Sequence, residues 1–444
     1  MQAGLLYGRQ LTAIDLPQDA DVTRFNHRPS MIEHGRWIIC QRCHERSLKQ
    51  QVRLPAGGYY CPACFLLGAV HSQQPLFSLP EPNYFTPVAQ PLSWRGTLTR
   101  LQKQCATQIN DVFRQNQQHL LWAVTGAGKT EMLFLGLADA IRMGKRVAIA
   151  SPRVDVCLEL YPRLQAAFTE VPIALLYGHQ TEPYQYRQVT ICTTHQLLRF
   201  YHAFDVLIVD EVDAFPFAQN PRLGFAVQQA VKPQSALLYL TATPSRQLLW
   251  EVHRGKLSIS YLPLRFHGHL LPEIRLRLAL RWRANLKRGK LPRQLLMAIK
   301  QCCEQHRRFL LFVPHVSQLA PIAAVIRQKL PMAEFATVHA SDEQRAVKVV
   351  QMREQKLDFL ITTTILERGV TLPEIDVFVL GADDDVFSSA ALVQMAGRAG
   401  RSAKDPTGRV IFWIAEQTLA LKRARQQIRL VNRKGRRLPE CQSA

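Results

Sequence analysis

Acidic residues are scarce in this sequence. Its 444 residues contain 34 Asp and Glu against 56 Lys and Arg, which gives a formal net charge of +22 at pH 7. A protein with so large a positive excess is expected to bind a polyanion, either nucleic acid or an anionic membrane surface. The charge therefore predicts the class of partner and leaves these two alternatives open.

Long apolar runs are also missing. No run approaches the roughly 18 residues of a membrane-spanning helix, and the first residues, MQAGLLYGRQ, lack the basic start and apolar core of a signal peptide. These absences predict a cytoplasmic protein without a transmembrane segment and favour nucleic acid as the partner. Peripheral association with the inner face of the cell membrane stays compatible with them.

Four of the ten cysteines stand in two Cys-x2-Cys pairs. Cys40 and Cys43 form the first pair, Cys61 and Cys64 form the second, and seventeen residues separate the two pairs. Each pair presents two thiolates from one turn, and two such turns can close a tetrahedron around Zn²⁺. The spacing predicts a zinc ribbon, with four reduced structural cysteines as the alternative, since disulfides are disfavoured in a reducing cytosol. The lobes that follow are expected to have cores independent of this ribbon.

Short apolar runs alternate with amphipathic stretches from Thr97 onward. The first set is HLLWAVT, RVAIAS, VTICTT, DVLIVD and ALLYLTAT, and the second is RFLLFVP, ATVH, DFLITTT, DVFVLGA and RVIFWIA. Nearly continuous apolar runs of this length predict parallel strands buried on both faces. We therefore predict an α/β protein with two doubly wound lobes preceded by the small four-cysteine zinc ribbon.

Prolines and basic residues mark the boundaries between these parts. Five prolines between residues 71 and 95 predict a stiff linker. The predicted domains are an N-terminal segment (1–35), the zinc ribbon (36–70), the proline-rich linker (71–95), the first lobe (96–250), a basic interlobe segment (251–290), the second lobe (291–417) and a basic tail (418–444).

The segment AVTGAGKT predicts a phosphate-binding loop between a buried strand and a helix. Its glycines would let backbone amides approach the phosphates, Lys129 would reach the β and γ oxygens, and the Thr130 hydroxyl would bind Mg²⁺. Ala123 replaces the first glycine of the strict pattern, and the alternative is a chance match in a loop. The predicted nucleotide-binding residues here are Thr125, Gly126, Ala127, Gly128, Lys129 and Thr130.

The segment DVLIVDEVD places two carboxylates at the end of an apolar strand. Asp210 would hold Mg²⁺ through water, and Glu211 would orient or deprotonate the attacking water. An acidic loop that caps a helix is the alternative. The segment Thr241 to Thr243, at the end of the next strand, is expected to donate hydrogen bonds toward these acidic residues.

Two stretches are dense in basic residues. Residues 265–308 carry twelve Lys or Arg against two acidic residues, and residues 422–437 carry eight and no acidic residue. Such stretches predict contacts with the phosphates of DNA, and a solvated surface is the alternative. Trp and Tyr are sparse in both, which disfavours a platform on which bases stack.

Seven segments resemble superfamily 2 helicase motifs and stand in the order of that family: TGAGKT, SPR, TTHQ, DEVD, TAT, TTTILERG and QMAGRAGR. The resemblance covers roughly residues 96 to 417. It implies two RecA-like lobes with ATP in the cleft, nucleic acid across both, and catalytic Arg398 and Arg401 completing the site. Gln102 resembles the adenine-reading glutamine of the family, and Gly369 is retained in its motif.

A four-cysteine ribbon before a helicase core of this length resembles the ComFA family of bacterial competence ATPases. The resemblance implies a single-stranded DNA translocase or helicase-like motor that assists DNA uptake with ATP, Mg²⁺ and Zn²⁺. It also implies partners among the competence proteins at the membrane DNA channel and a ComFC-like protein. Three alternatives remain: a PriA-like DNA helicase in replication or repair, a DEAD-box-type RNA-remodelling ATPase, and a scaffold that binds ATP only as a switch.

Overall fold

Two large parallel sheets organise the chain. The computed structural model describes residues 3–16, 21–178, 183–370 and 372–441. One unit comprises residues up to 122 with residues 130–260, and the other comprises residues 123–129 with residues 261–444. Each unit holds one large sheet with helices between its strands. The predicted fold class of two doubly wound α/β lobes is confirmed.

In the described part of the chain before the first lobe, six short strands form two small antiparallel sheets. Strands β1, β6 and β2 form one sheet in that order, and β3, β4 and β5 form the other. They are β1 (Gln10–Leu11), β2 (Asn26–Arg28), β3 (Met31–His34), β4 (Trp37–Cys40), β5 (Arg46–Leu48) and β6 (Leu76–Ser78). The segment predicted as a linker thus contributes β6 to a sheet shared with the N-terminal segment. Its Glu81 also forms an ion pair with Arg146, and both side chains are fully buried.

The first lobe is a seven-stranded sheet in the order β13, β7, β12, β11, β8, β10 and β9. Strands β8 and β10 are buried at every residue, as runs of apolar residues in a parallel sheet require. The elements are α1 (Arg100–Gln115), β7 (Gln118–Ala123), α2 (Lys129–Arg142), β8 (Val147–Ser151), α3 (Val154–Ala167), β9 (Ile173–Leu176), β10 (Val189–Thr193), β11 (Phe204–Val209), α4 (Pro221–Ala230), β12 (Val231–Thr241), α5 (Arg246–His253) and β13 (Ser258–Leu262).

The second lobe is a six-stranded parallel sheet in the order β14, β19, β18, β15, β17 and β16. Its elements are β14 (Arg275–Leu278), α6 (Trp282–Lys287), α7 (Arg293–Glu304), β15 (Phe309–Phe312), α8 (Leu319–Lys329), β16 (Phe335–Val338), α9 (Arg345–Arg353), β17 (Phe359–Thr362), β18 (Asp376–Leu380), α10 (Ser389–Ala396), β19 (Val410–Ile414) and α11 (Leu419–Gly435). None of the helices among the described residues is both long enough and apolar enough to cross a membrane.

The ribbon shares its core with the first lobe, so the expectation of independent cores is wrong. One cluster of buried side chains runs from the four cysteines and Ile38 to Phe204 and Leu237 in the lobe. Helix α4 also makes polar contacts with the ribbon. Arg222 Nη1 donates to Glu45 Oε2 at 3.0 Å, and Gln229 Nε2 donates to the Gln41 carbonyl at 3.0 Å. The imidazole ring of His44, in the ribbon, also stacks on the Phe225 ring of α4, with the ring centroids 4.6 Å apart.

His119 in β7 is enclosed by hydroxyl groups. Its Nδ1 is 2.7 Å from Ser258 Oγ, and its Nε2 is 2.8 Å from Ser260 Oγ. Burial lowers the pKa of His119 to about 4 from an ordinary value of 6.5. Between those values the unfolded chain binds a proton that the folded protein does not, so stability falls as the pH drops from 6.5 toward 4.

We expect the free energy of unfolding to fall by about 2 kcal/mol between about pH 7.5 and about pH 5, because His119 binds a proton in the unfolded chain and not in the folded protein. Chemical denaturation at both pH values measures this loss. His119→Gln, which cannot take up the proton, should lose correspondingly less stability over the same interval. His34→Gln, at an exposed position, should keep the pH dependence of the parent. An unchanged pH dependence in His119→Gln would contradict the assignment.

Candidate nucleotide and metal sites

The predicted phosphate loop joins β7 to α2. Gly126 and Gly128 have φ angles of +81° and +73°, a region in which side chains with a Cβ are strained, so both positions require glycine. Ala127 donates its amide hydrogen to the Val124 carbonyl at 3.2 Å, which closes the turn. Lys129 is the first residue of α2, so the loop ends at a helix N-terminus where backbone amides can bind an anion.

The arginine turn Gly397–Arg401 packs against the phosphate loop within the second unit. Thr125 Oγ1 donates to Gln394 Oε1 at 2.9 Å. A Cβ placed on Gly397 would lie 2.8 Å from Thr125 Cβ, so only glycine permits this approach. The structure thus brings the motif QMAGRAGR to the loop TGAGKT, although 269 residues separate Thr125 from Gln394.

The two arginines of the turn have different surroundings. Arg398 is buried, and its guanidinium donates to the carbonyls of Glu367 (2.9 Å) and Val370. It therefore holds the segment around Gly369, which has a φ of +69°. Arg401 donates to the Gly397 carbonyl at 3.2 Å, and its Cγ lies 3.9 Å from the position of a Cβ on Gly126. Arg401 is accordingly the arginine of this motif that lies next to the phosphate loop.

The acidic motif follows β11 in the first unit. Asp210 Oδ1 accepts a hydrogen bond from the Glu211 amide at 2.8 Å, and Glu211 has a left-handed φ of +54°. Asp213 accepts hydrogen bonds from Thr241 Oγ1 at 2.6 Å and from the Thr243 hydroxyl. The expected hydrogen bonds from the threonines at the end of β12 to the acidic motif are therefore confirmed, at Asp213.

Two other predicted nucleotide-binding residues lie on helices of the first unit. Thr130 is buried in the first turn of α2. Gln102 is buried in α1, where its Oε1 accepts from the Thr99 amide at 2.9 Å and Thr99 Oγ1 accepts from the Gln102 amide. This is a capping box, which by itself accounts for glutamine three residues after a threonine. The role of Gln102 in reading adenine stays a prediction.

The four cysteines of the ribbon form one buried cluster. Their sulfur atoms all lie within 4.8 Å of one another, with 3.9 Å between Cys40 and Cys64 and 3.5 Å between Cys43 and Cys61. Zinc–sulfur bonds of about 2.3 Å in a tetrahedron would separate the sulfurs by about 3.8 Å. The cluster therefore fits a four-thiolate metal site. His44, next to Cys43, stacks on α4 and is not part of the cluster.

Arg42 lies between Cys40 and Cys43 and is not among the residues predicted from the sequence. It is only 1% exposed, and its Nε donates to Cys64 Sγ at 3.3 Å while its Nη2 donates to the Cys64 carbonyl at 3.1 Å. Hydrogen bonds from the other three thiols lower the pKa of Cys64, and the positive charge of Arg42 acts in the same direction. A buried cation beside the sulfurs offsets the negative charge of four thiolates. In the sequence, the position of this arginine between Cys40 and Cys43 is the one feature that could have predicted its role.

Comparisons with known proteins identify the families to which the two lobes are similar. Residues 99–249 match the DEAD/DEAH box helicase family, and residues 290–403 match the helicase conserved C-terminal domain. Competence protein ComFA of Bacillus subtilis (strain 168) is 41% identical over 396 residues, which cover 88% of this chain and 85% of that protein. Competence protein ComFA of Streptococcus pneumoniae (strain ATCC BAA-255 / R6) is 38% identical over 411 residues, covering 91% and 93%.

The solved structure of S. cerevisiae Dbp5 bound to RNA and ADP BeF3 superposes with a TM-score of 0.57 at 14% identity. The match covers 76% of this chain and 88% of that chain, and it supports RecA-like lobes as the fold. The two helicase families account for most of both lobes, and the two competence proteins match more of the chain than these two families do. The chain therefore belongs to the ComFA family of competence proteins and is a superfamily 2 helicase-type ATPase.

Proposed function

We propose that this chain is an ATP-driven motor that acts on single-stranded DNA during DNA uptake in bacterial competence. The similarity to two competence proteins supports the process. The observation that carries the choice of a nucleic-acid substrate is the basic face of α11. Membrane-channel competence proteins and a ComFC-like protein are the proposed partners, at the inner face of the cell membrane.

Helix α11 buries most of its apolar residues and exposes most of its basic ones. Leu421, Ala424, Ile428 and Val431 are buried against the lobe, and α10 packs on this side. The exposed positions are basic at Lys422, Arg423, Arg429, Arg433 and Lys434, and the helix contains no acidic residue. A helix docked by one face and rich in basic residues on the other can follow a phosphate backbone, and Leu419 and Leu430 share that exposed face.

The basic stretch 265–308 contributes fewer free positive charges to the proposed DNA-binding surface than its composition suggests. Arg265 and Arg308 are buried, Arg307 pairs with Asp376 and Asp405, and Arg283 pairs with Asp384. Four of its twelve basic residues are therefore engaged by burial or by these ion pairs, and the exposed Lys300 also lies 3.7 Å from Glu304. The remaining basic residues are exposed, at Arg275, Arg277, Arg281, Lys287, Arg288, Lys290, Arg293 and Lys300. These complete the proposed surface for DNA.

The chemistry that we propose is hydrolysis of ATP. Lys129 would hold the β and γ phosphates, and Glu211 would orient the attacking water. Carboxylate and hydroxyl oxygens suit Mg²⁺, so Asp210 and Thr130 would bind this ion, which neutralises charge on the phosphates when bound. Arg401 lies beside the phosphate loop, where a cation stabilises a transferring phosphoryl group. Zn²⁺ at the four cysteines would hold the ribbon together.

Binding of single-stranded DNA should weaken steeply with salt, with a slope of about 0.7 in log K per phosphate neutralised. Replacing Arg429, Arg433 and Arg437 together by Gln should make that slope shallower by about 2. Fluorescence anisotropy of a labelled oligonucleotide across a salt series measures the change. Matched substitutions of Arg327, Lys329 and Lys356, which are exposed outside both basic stretches, should leave the slope unaltered.

ATP turnover tests the motor itself. Single-stranded DNA should stimulate hydrolysis more than blunt duplex, because the proposed substrate is one imported strand, and displacement of streptavidin from a biotinylated strand should require ATP. Stimulation by RNA above that by DNA would favour an RNA-remodelling ATPase instead. A single turnover of ATP with no further hydrolysis would indicate a nucleotide switch and would contradict the proposal.

A further inference from the structure

We propose that Arg265 is a positioning residue that couples α11 to the nucleotide loops. The residue stands in the segment Tyr261–Leu271, which begins with the last two residues of β13, ends before β14 and matches none of the helicase motifs in the sequence. The proposal rests on the proposed function, because α11 carries part of the surface assigned to DNA.

Arg265 is only 2% exposed, and its guanidinium reaches both ends of the arginine turn. Nη1 donates to the Gly400 carbonyl, and Nη2 donates to the Gly397 carbonyl at 3.4 Å. The side-chain Cγ lies 3.7 Å from the position of a Cβ on Gly126, so the stem of the side chain passes the phosphate loop. One planar group thus holds the turn that carries Arg398 and Arg401 beside Gly126.

Among the described parts of the chain, the partners of the Arg265 guanidinium are backbone carbonyls and none is a carboxylate, which is uncommon for a buried cation. Burial, followed by the positive charge of Arg401, lowers the pKa of Arg265 to about 9. Two neighbouring guanidinium groups repel each other unless an anion lies near them. The phosphates of ATP would supply that anion, so Arg265 is best held in place when nucleotide is bound.

The segment that carries Arg265 is fastened to α11. Asn432 is buried and forms two hydrogen bonds with Leu271, accepting from its amide at 3.0 Å and donating to its carbonyl at 2.9 Å. Lys434 lies 4.4 Å from the centre of the Tyr261 ring. A Cβ on Gly435 would lie 2.7 Å from Leu270, so the helix packs directly on the segment. Both ends of Tyr261–Leu271 are therefore attached to the basic helix.

The middle of the same segment is attached to the nucleotide loops. The Phe266 amide donates to the Gly126 carbonyl at 3.0 Å, and His267 Nε2 is 3.2 Å from the Gly400 carbonyl. A movement of α11 on binding DNA would therefore be carried to Gly126 and Gly400 through Arg265 and its neighbours. Close packing makes such a route stiff, since a displaced side chain must displace what it touches.

Substitutions at residue 265 test this coupling. Arg265→Lys keeps the positive charge but cannot bridge the two carbonyls as a planar guanidinium does, and Arg265→Gln removes the charge as well. We expect both to lose about tenfold or more of DNA-stimulated kcat, with the KM for ATP changing less than about threefold. Arg327→Gln, an exposed arginine outside the segment, is the control and should behave as the parent.

A second variant addresses the other end of the segment without touching the nucleotide loops. Asn432→Ser should reduce the ratio of ATP turnover with and without single-stranded DNA about fivefold or more, while its affinity for the oligonucleotide stays within about twofold of the parent. Thermal unfolding of each variant checks that it is folded. A residue with only a structural role would change the unfolding midpoint and leave the stimulation ratio of the folded fraction unchanged.

The outcomes separate this proposal from the proposed function. If single-stranded DNA does not stimulate the parent, the proposed function fails and the coupling fails with it. If DNA stimulates the parent and also stimulates folded Arg265→Lys and Asn432→Ser equally well, only the coupling is overturned. Recovery of stimulation in Arg265→Lys but not in Arg265→Gln would show that charge alone is needed, which would also contradict a positioning role.

Discussion

Glu211→Gln is expected to abolish most ATP turnover while ATP binding persists. The substitution keeps the shape of the side chain, and its left-handed backbone is unaffected, but an amide cannot accept a proton from the attacking water. We expect kcat to fall about 10²- to 10⁴-fold. Lys129→Ala should lower kcat by at least about 10²-fold and should also weaken ATP binding, because the lysine contacts the phosphates in the ground state.

The contrast between these two variants is the informative result. Steady-state ATP hydrolysis gives kcat, and titration with a fluorescent ATP analogue gives affinity. Glu170→Gln, at an exposed position in the same unit, provides a matched change of charge and should retain parental turnover. Parental turnover by Glu211→Gln would show that another group orients the water.

Cys61→Ser is expected to release one zinc ion per chain and to destabilise the whole first unit. Zinc at about 1,000-fold over its dissociation constant would contribute about 4 kcal/mol to folding. Because the buried cluster of the ribbon continues into the first lobe, that loss should lower the unfolding midpoint of the unit by about 8 to 16 °C. Separate cores would instead confine the effect to the ribbon.

Atomic absorption and differential scanning calorimetry measure the two halves of this prediction. Cys303→Ser, outside the cluster and only partly buried, should keep its zinc and the parental midpoint. Purified parent protein without zinc would refute the metal assignment. Loss of zinc from Cys61→Ser with an unchanged midpoint for the lobe would show that the shared packing contributes little.

The central strands of the first lobe could be predicted because each is a short, nearly continuous run of apolar residues. The runs HLLWAVT, RVAIAS, VTICTT, DVLIVD and ALLYLTAT correspond to β7, β8, β10, β11 and β12. Strand β9 was missed, since it is a four-residue strand at the sheet edge and is only half-buried. Strand β6 was missed because three residues among prolines show no periodic pattern.

The residues of the candidate site could be predicted from the sequence where they form contiguous motifs, and they were missed where they depend on contacts between distant segments. The phosphate loop and the acidic motif are each contiguous, so their residue types and spacing identify them in the sequence. Arg265 and Arg42 were overlooked because an arginine in a basic sequence is expected at the surface, and both are buried. The packing of the ribbon on α4 joins residues nearly 190 positions apart, and no local pattern encodes such a contact.

The order of synthesis gives the contact between the ribbon and α4 a further consequence. Gln229, which bonds to Gln41, lies 188 residues later in the chain. At 5 to 20 residues per second, a ribosome needs roughly 10 to 40 s to cover that distance. For that interval the newly made ribbon has no lobe to pack on, and its apolar face is exposed. Zinc captured during translation would hold the ribbon in shape until its partner emerges, so cells short of zinc should accumulate aggregated nascent chains.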